Sequence, residues 1–107
     1  MIWHNTRNRG PMSVKDTVKD SIAGQMERLQ VISNQMYENP EVAFEEHVTS
    51  GLLADYLEEN GFDVERQAYG LDTAFVARAG SGGPEMIICA EMDALPGVGH
   101  ALSLIHI

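Results

Sequence analysis

The chain has 107 residues, enough for one small domain or a piece of a larger one, and its apolar fraction of 44% permits a packed core. Its formal net charge of −9 comes from 16 acidic and 7 basic side chains, with no Lys/Arg cluster. This charge argues against nucleic acid and against anionic membranes as partners. No apolar run is long enough to predict a transmembrane helix. The single cysteine, Cys89, favours a reducing compartment, which we take to be the cytoplasm.

The first predicted helix follows a segment that differs from the rest of the chain. Residues 1–11 lack periodicity and have no apolar stretch of a secretory signal, so we interpret them as a non-native leader. Ser13 is a suitable N-cap, and apolar residues then recur in steps of three and four as far as Met36. This pattern predicts one long amphipathic helix, which Pro40 brings to an end.

A second helix is predicted from about Glu45 to Asn60. Its N-terminal acidic residues suit the positive end of a helix, and Gly61 suits the left-handed position that commonly closes one. The side chains expected on its buried face are Val48, Leu52, Tyr56 and Leu57.

Three strands are predicted after the helices. Residues 62–65 alternate with period two, and residues 73–79 are rich in β-formers. A Gly-rich turn at 80–84 separates them from residues 86–90, which are apolar on both faces, as in a central strand covered on each side. The predicted fold class is therefore α/β, with two helices followed by three strands. The last strand leads into a Gly/Pro loop, the place where open α/β sheets bind ligands.

Asp93 and His100 are the residues in this loop that could carry chemistry. A carboxylate at a strand end, followed by an imidazole, could bind a metal or orient a ligating histidine. The Asp-x6-His spacing is not a specific metal signature, however. From spacing alone, we favour a role for Asp93 in capping the turn at Pro96 and Gly97.

Other polar residues have simpler structural explanations. Residues 45–47, Glu-Glu-His, point in different directions on a helix, and we expect them on the solvated face of its N-terminus. Cys89 lies within an apolar strand and is expected to be an inert core residue. The Gly-rich turn lacks the Gly-Lys-Ser/Thr ending of a phosphate-binding loop.

Two segments resemble a known family. Residues 39–47 read NPEVAFEEH, and residues 90–101 read AEMDALPGVGHA. Both resemble ordered motifs of the M20 family of metallopeptidases and amidohydrolases, and the resemblance extends over residues 13–101. It is greatest to the branch that acts on N-acyl amino acids, on aminobenzoyl-glutamate and on dipeptides.

The resemblance implies a fold and an activity. Residues 12–101 would form the N-terminal part of a zinc-exopeptidase-like, three-layer α/β/α catalytic domain. The parent protein would hydrolyse amide bonds of small N-acyl amino acids or dipeptides with a pair of divalent ions, zinc or manganese. It could also be a homodimer.

The same resemblance implies roles for the loop residues. Asp93 matches the aspartate that supports the metal site from behind, and His100 matches a histidine that is at most a weak ligand candidate. After Ala101 the family continues Cys-Gly-His, whereas this chain continues with residues 102–107, Leu-Ser-Leu-Ile-His-Ile. We therefore expect an artefactual tail and a fragment that binds no metal and is inactive. The alternative is a short, non-enzymatic α/β binding module.

Overall fold

The computed structural model describes residues 11–100, and the chain divides into two compact units, residues 1–31 and 32–107. The first ten residues of the predicted leader and all of the predicted tail at 102–107 lie outside the described residues. Helix α1 spans Val14–Glu38 and helix α2 spans His47–Glu59. Strand β1, Asp63–Arg66, and strand β2, Phe75–Arg78, follow. The two predicted helices are thus confirmed.

The first unit contains the N-terminal part of α1, and its start is capped as predicted. The Asp16 amide donates to Ser13 Oγ at 3.2 Å, and the Ser13 hydroxyl donates to the Asp16 carboxylate at 2.7 Å. The apolar side chains at helical spacing are 37–82% exposed: Val14, Val18, Ile22, Met26 and Leu29. No helix within residues 11–100 is long and apolar enough to cross a membrane.

The second unit begins within α1, at Ile32, whose side chain is buried. The helix ends at Glu38, two residues before Pro40, as the proline predicts. At this end Asn39 donates both its backbone amide and its side-chain amide to the Gln35 carbonyl, at 3.1 and 3.0 Å. These bonds satisfy a carbonyl that the helix itself leaves unpaired.

Helix α2 ends in a Schellman motif. Gly61 has a φ of +86°, and its amide donates to the Glu58 carbonyl at 3.0 Å. The Phe62 amide donates to the Leu57 carbonyl at 3.1 Å. This pair of bonds, with a left-handed glycine, is the usual way to satisfy the last carbonyls of a helix. The predicted role of Gly61 is confirmed.

The buried face of α2 differs in part from the prediction. Leu52, Tyr56 and Leu57 are half-buried as expected, but Val48 is 70% exposed. Val48 is seven residues before Asp55, which is also exposed, so the two lie on the same outward-facing side of the helix. The fully buried residues of α2 are Thr49 and Ala54.

Strands β1 and β2 form an antiparallel pair in which Asp63 faces Arg78 and Arg66 faces Phe75. They confirm the first two predicted strands, with the second shorter than expected. Arg66 of β1 also bonds to two carboxylates of α2, Asp55 at 2.7 Å and Glu58 at 3.0 Å. These bonds raise the pKa of the Arg66 guanidinium and connect the sheet to the helix. A short 3-10 turn, Ala68–Gly70, joins the strands.

The third predicted strand, at residues 86–90, is wrong for the described part of the chain. Met86, Ile87 and Ile88 are 78–86% exposed, and Cys89 is exposed as well, so its predicted core position is also wrong. A strand exists only by pairing with a neighbour. The sheet within residues 11–100 has two strands, and neither pairs with this segment. The fold class remains α/β.

Candidate functional site

The two segments that carry the family resemblance meet in the second unit. The Ala94 amide donates a hydrogen bond of 2.7 Å to the Glu41 carbonyl, and Val42 and Ala94 form an isolated parallel bridge. Ala94 is only 2% exposed. Glu41 and Ala94 are 53 positions apart in the chain, so the bond is a tertiary contact between segments 39–47 and 90–100. We call it the Glu41–Ala94 contact.

The loop that follows Ala94 is held by its own backbone. The amides of Val98 and Gly99 donate to the Leu95 carbonyl at 3.1 and 3.0 Å, and the Leu95 amide donates to the Gly99 carbonyl at 3.1 Å. Gly97 and Gly99 have φ values of +73° and +76°, which glycine adopts without steric cost. The sequence of this loop therefore specifies a tight turn beside the Glu41–Ala94 contact, as Pro96 and Gly97 indicated.

Both segments line an open pocket of about 520 Å³. Its lining residues are Tyr37, Glu38, Pro40, Val42, Ala94, Leu95, Gly97, Val98, Gly99 and His100. Seven of these ten lining residues are apolar or glycine.

The side chain of Glu41 caps helix α2. Its carboxylate accepts the Thr49 amide at 2.6 Å and the Val48 amide at 3.0 Å. Desolvation raises the pKa of the Glu41 carboxyl, but the hydrogen bonds from Thr49 and Val48, with the nearby charge of His47, outweigh it and lower the pKa from 4.5. This cap has no local sequence signature, because the carboxylate lies seven and eight residues before its donors and not at the usual N-cap position.

Glu46 corrects the prediction that residues 45–47 all lie on a solvated face. Its side chain is buried and accepts a hydrogen bond of 2.7 Å from the hydroxyl of Thr73, which is also buried. Glu45 and His47 are exposed as expected, and the distance from Glu45 Oε2 to His47 Nε2 is 3.6 Å. No local pattern around Thr73 signals this partner, since the two residues are 27 positions apart.

Asp93 and His100 are placed in the same loop but form no metal centre within the described residues. Asp93 is exposed, whereas His100 is half-buried and its Nε2 is buried without a hydrogen-bond partner among residues 11–100. That part of the chain contains no group of three or more His, Cys, Asp or Glu side chains that could hold a metal ion. The described residues therefore do not fit a divalent metal site, and the supporting role of Asp93 stays a prediction.

Comparison with curated proteins identifies relatives for this chain. It is 36% identical over 81 residues to a subunit of the p-aminobenzoyl-glutamate hydrolase of Escherichia coli K12, which is 76% of this chain and 17% of that protein. It is 40% identical over 67 residues to thermostable carboxypeptidase 2 of Saccharolobus solfataricus, 61% of this chain and 17% of the relative. It is 35% identical over 65 residues to hippurate hydrolase of Campylobacter jejuni, which is 61% of this chain and 17% of that relative.

These relatives are all M20-family amidohydrolases, and the chain is similar to them over 61–76% of its own length. The resemblance seen in residues 39–47 and 90–101 is thereby confirmed. The matched segment spans 17% of the length of each of these three relatives. No family model matches the chain. No solved structure matches it either.

Proposed function

We propose that this chain is part of a metal-dependent amidohydrolase that cleaves the amide bond of N-acyl amino acids or dipeptides. The observation that carries the proposal is the Glu41–Ala94 contact, because it joins the two segments that resemble M20-family motifs beside one pocket. The relatives are named as hydrolases of p-aminobenzoyl-glutamate and hippurate and as a carboxypeptidase, which supports a small substrate with an amide bond.

The metal requirement is part of the same proposal. A divalent ion such as zinc or manganese polarises a carbonyl and activates water in hydrolysis of this kind. Residues 11–100 do not form such a centre, so we assign no catalytic step to them. We propose that Asp93 supports the metal site from behind in the parent protein, and that the 107-residue chain alone is inactive. A cytoplasmic location and a homodimeric parent belong to this proposal as well.

Hydrolysis assays test the proposal. The 107-residue chain and the longer product of its source gene are each incubated with p-aminobenzoyl-glutamate or hippurate and with zinc or manganese, and the released amine or acid is quantified. We expect product from the longer protein and none above the metal-only background from the 107-residue chain. Hydrolysis by the short chain would overturn its proposed inactivity. A longer protein that cleaves neither substrate nor any related N-acyl amino acid or dipeptide would overturn the proposed function.

The proposed role of Asp93 needs a separate variant pair in the longer protein. Asp93→Asn should lower kcat and reduce the affinity for the metal, because the supporting carboxylate is lost. Asp72→Asn, at another exposed aspartate, should change neither. An unchanged metal affinity in Asp93→Asn would contradict the supporting role.

A further inference from the structure

Glu41 makes hydrogen bonds in two directions. Its carboxylate accepts the amides of Val48 and Thr49 at the start of α2, and its carbonyl accepts the Ala94 amide next to Asp93. We infer that Glu41 is a positioning residue, which fixes the Asp93–Ala94 backbone relative to the N-terminus of α2. It touches no reacting atom, and its meaning for catalysis rests on the proposed function.

The side-chain half of this connection is strong for two reasons. An ionised carboxylate that accepts two amides forms charge-assisted bonds, and the distances of 2.6 and 3.0 Å lie on either side of the roughly 2.7–2.9 Å typical of such bonds. The amides of Val48 and Thr49 belong to the first turn of α2, where the helix dipole favours a negative charge. Both effects hold the Glu41 side chain in one geometry.

The backbone half transmits that geometry to the loop. The anchored carboxylate of Glu41 and the carbonyl that accepts the Ala94 amide belong to one residue and are joined through Cγ, Cβ and Cα. Pro40 precedes it with a fixed φ, and Val42 follows it in the bridge with Ala94. The segment therefore has little freedom to move its carbonyl independently of its carboxylate. A change in the capping bonds should shift or loosen Ala94, and with it the neighbouring Asp93.

A purely local cap would behave differently. If Glu41 only stabilised α2, its removal would loosen the amides of Val48 and Thr49 and leave the Ala94 amide as protected as before. Amide hydrogen exchange, followed residue by residue in the 107-residue chain by NMR, separates the two cases. It needs no substrate and no metal, so its outcome is independent of whether the proposed hydrolysis is found.

The experiment compares Glu41→Gln with Glu45→Gln, a matched change at an exposed neighbour. The exchange rate at Ala94 is compared with the rates of the β1–β2 ladder amides, which lie outside segments 39–47 and 90–100. We expect Glu41→Gln to increase the exchange rate of the Ala94 amide about fivefold relative to the ladder amides. A factor of this size corresponds to the loss of one helix cap of ordinary strength. Glu45→Gln should leave the ratio unchanged.

Two results would overturn the inference. One is an unchanged Ala94-to-ladder ratio in a folded Glu41→Gln chain. If Glu41→Gln does not fold, Glu41→Asp takes its place, since it keeps the charge but shortens the reach. The same relative loss of protection at the Ala94 amide in Glu41→Asp supports the inference. An unchanged ratio of Ala94 to ladder exchange rates, or failure of Glu41→Asp to fold, contradicts it.

Discussion

The hydroxyl of Thr73 donates a 2.7 Å hydrogen bond to the carboxylate of Glu46, and both side chains are buried. The bond joins the residue before α2 to the turn before β2. A buried carboxylate without a partner would be costly, so this contact holds two distant segments in one arrangement. The bond lies at the N-terminus of α2, which is the end of the helix that Glu41 caps.

Loss of the Thr73 hydroxyl should therefore destabilise the chain. Thr73→Val keeps the shape but leaves the Glu46 carboxylate without its donor, which costs about 1–3 kcal/mol of unfolding free energy. Urea denaturation at neutral pH measures this change. Adding Glu46→Met to Thr73→Val should restore part of the stability, because the unpaired group is gone. A double variant less stable than Thr73→Val alone would contradict this account of the contact.

The cap provided by Glu41 should make stability depend on pH. The folded-state pKa of Glu41 is lowered from 4.5, so the ionised carboxylate stabilises the fold above that pH, and this contribution is lost as the pH falls through the lowered value. We expect Glu41→Gln to cost about 1 kcal/mol at pH 7, as for a typical helix cap.

The difference between Glu41→Gln and the unaltered chain should begin to shrink below pH 4.5 and be lost below the lowered folded-state pKa, where the carboxyl is protonated in both states. Urea denaturation at several pH values measures it. Glu45→Gln serves as the control, and as an exposed substitution it should stay within roughly 0.5 kcal/mol. A difference that grows as the pH falls would show that the sign is wrong.

Gly61 and Gly51 form a matched pair in α2 and its C-terminal motif. An added Cβ meets nothing within 4 Å at either position, so the cost of alanine is conformational in both. Gly61→Ala places alanine at a φ of +86° and should destabilise the chain by about 1 kcal/mol. Gly51→Ala lies inside the helix and should stabilise it by up to about 1 kcal/mol. Thermal or urea denaturation would show these opposite signs, and equal effects would contradict the Schellman geometry.

The exposed apolar segment at residues 86–90 predicts how the chain behaves in solution. Ile87→Lys should change the unfolding free energy by less than roughly 0.5 kcal/mol, because the side chain is exposed, and should reduce self-association measured by light scattering. Ile32→Lys, at a buried isoleucine, should destabilise the chain by about 3 kcal/mol or more. Equal destabilisation by the two variants, in a cooperative monomer, would instead favour the short binding module.

The sequence predicts those parts of the fold that depend on near neighbours. Ser13, Pro40 and Gly61 mark helix ends because their effects act within a few residues. The Schellman motif and the turn at Gly97 followed from the same local chemistry. Each of these features was found where its residue type indicated.

The features that the sequence does not predict depend on partners that are far apart in the chain. The burial of Glu46 requires Thr73, and the cap by Glu41 requires a chain path that returns to Val48 and Thr49. The apolar run at residues 86–90 predicts a covered strand, but coverage depends on neighbours that residues 11–100 do not supply. The metal-related roles of the loop stay predictions for the same reason.

The most direct test of the central claim, that this chain is part of an M20-family hydrolase, is to read its source gene past codon 101. We predict that Cys-Gly-His follows Ala101 in frame and supplies the side chains that the described loop lacks for a metal centre. Genomic sequence that instead encodes residues 102–107 followed by a stop codon would contradict it, and the function would then have to be sought in binding.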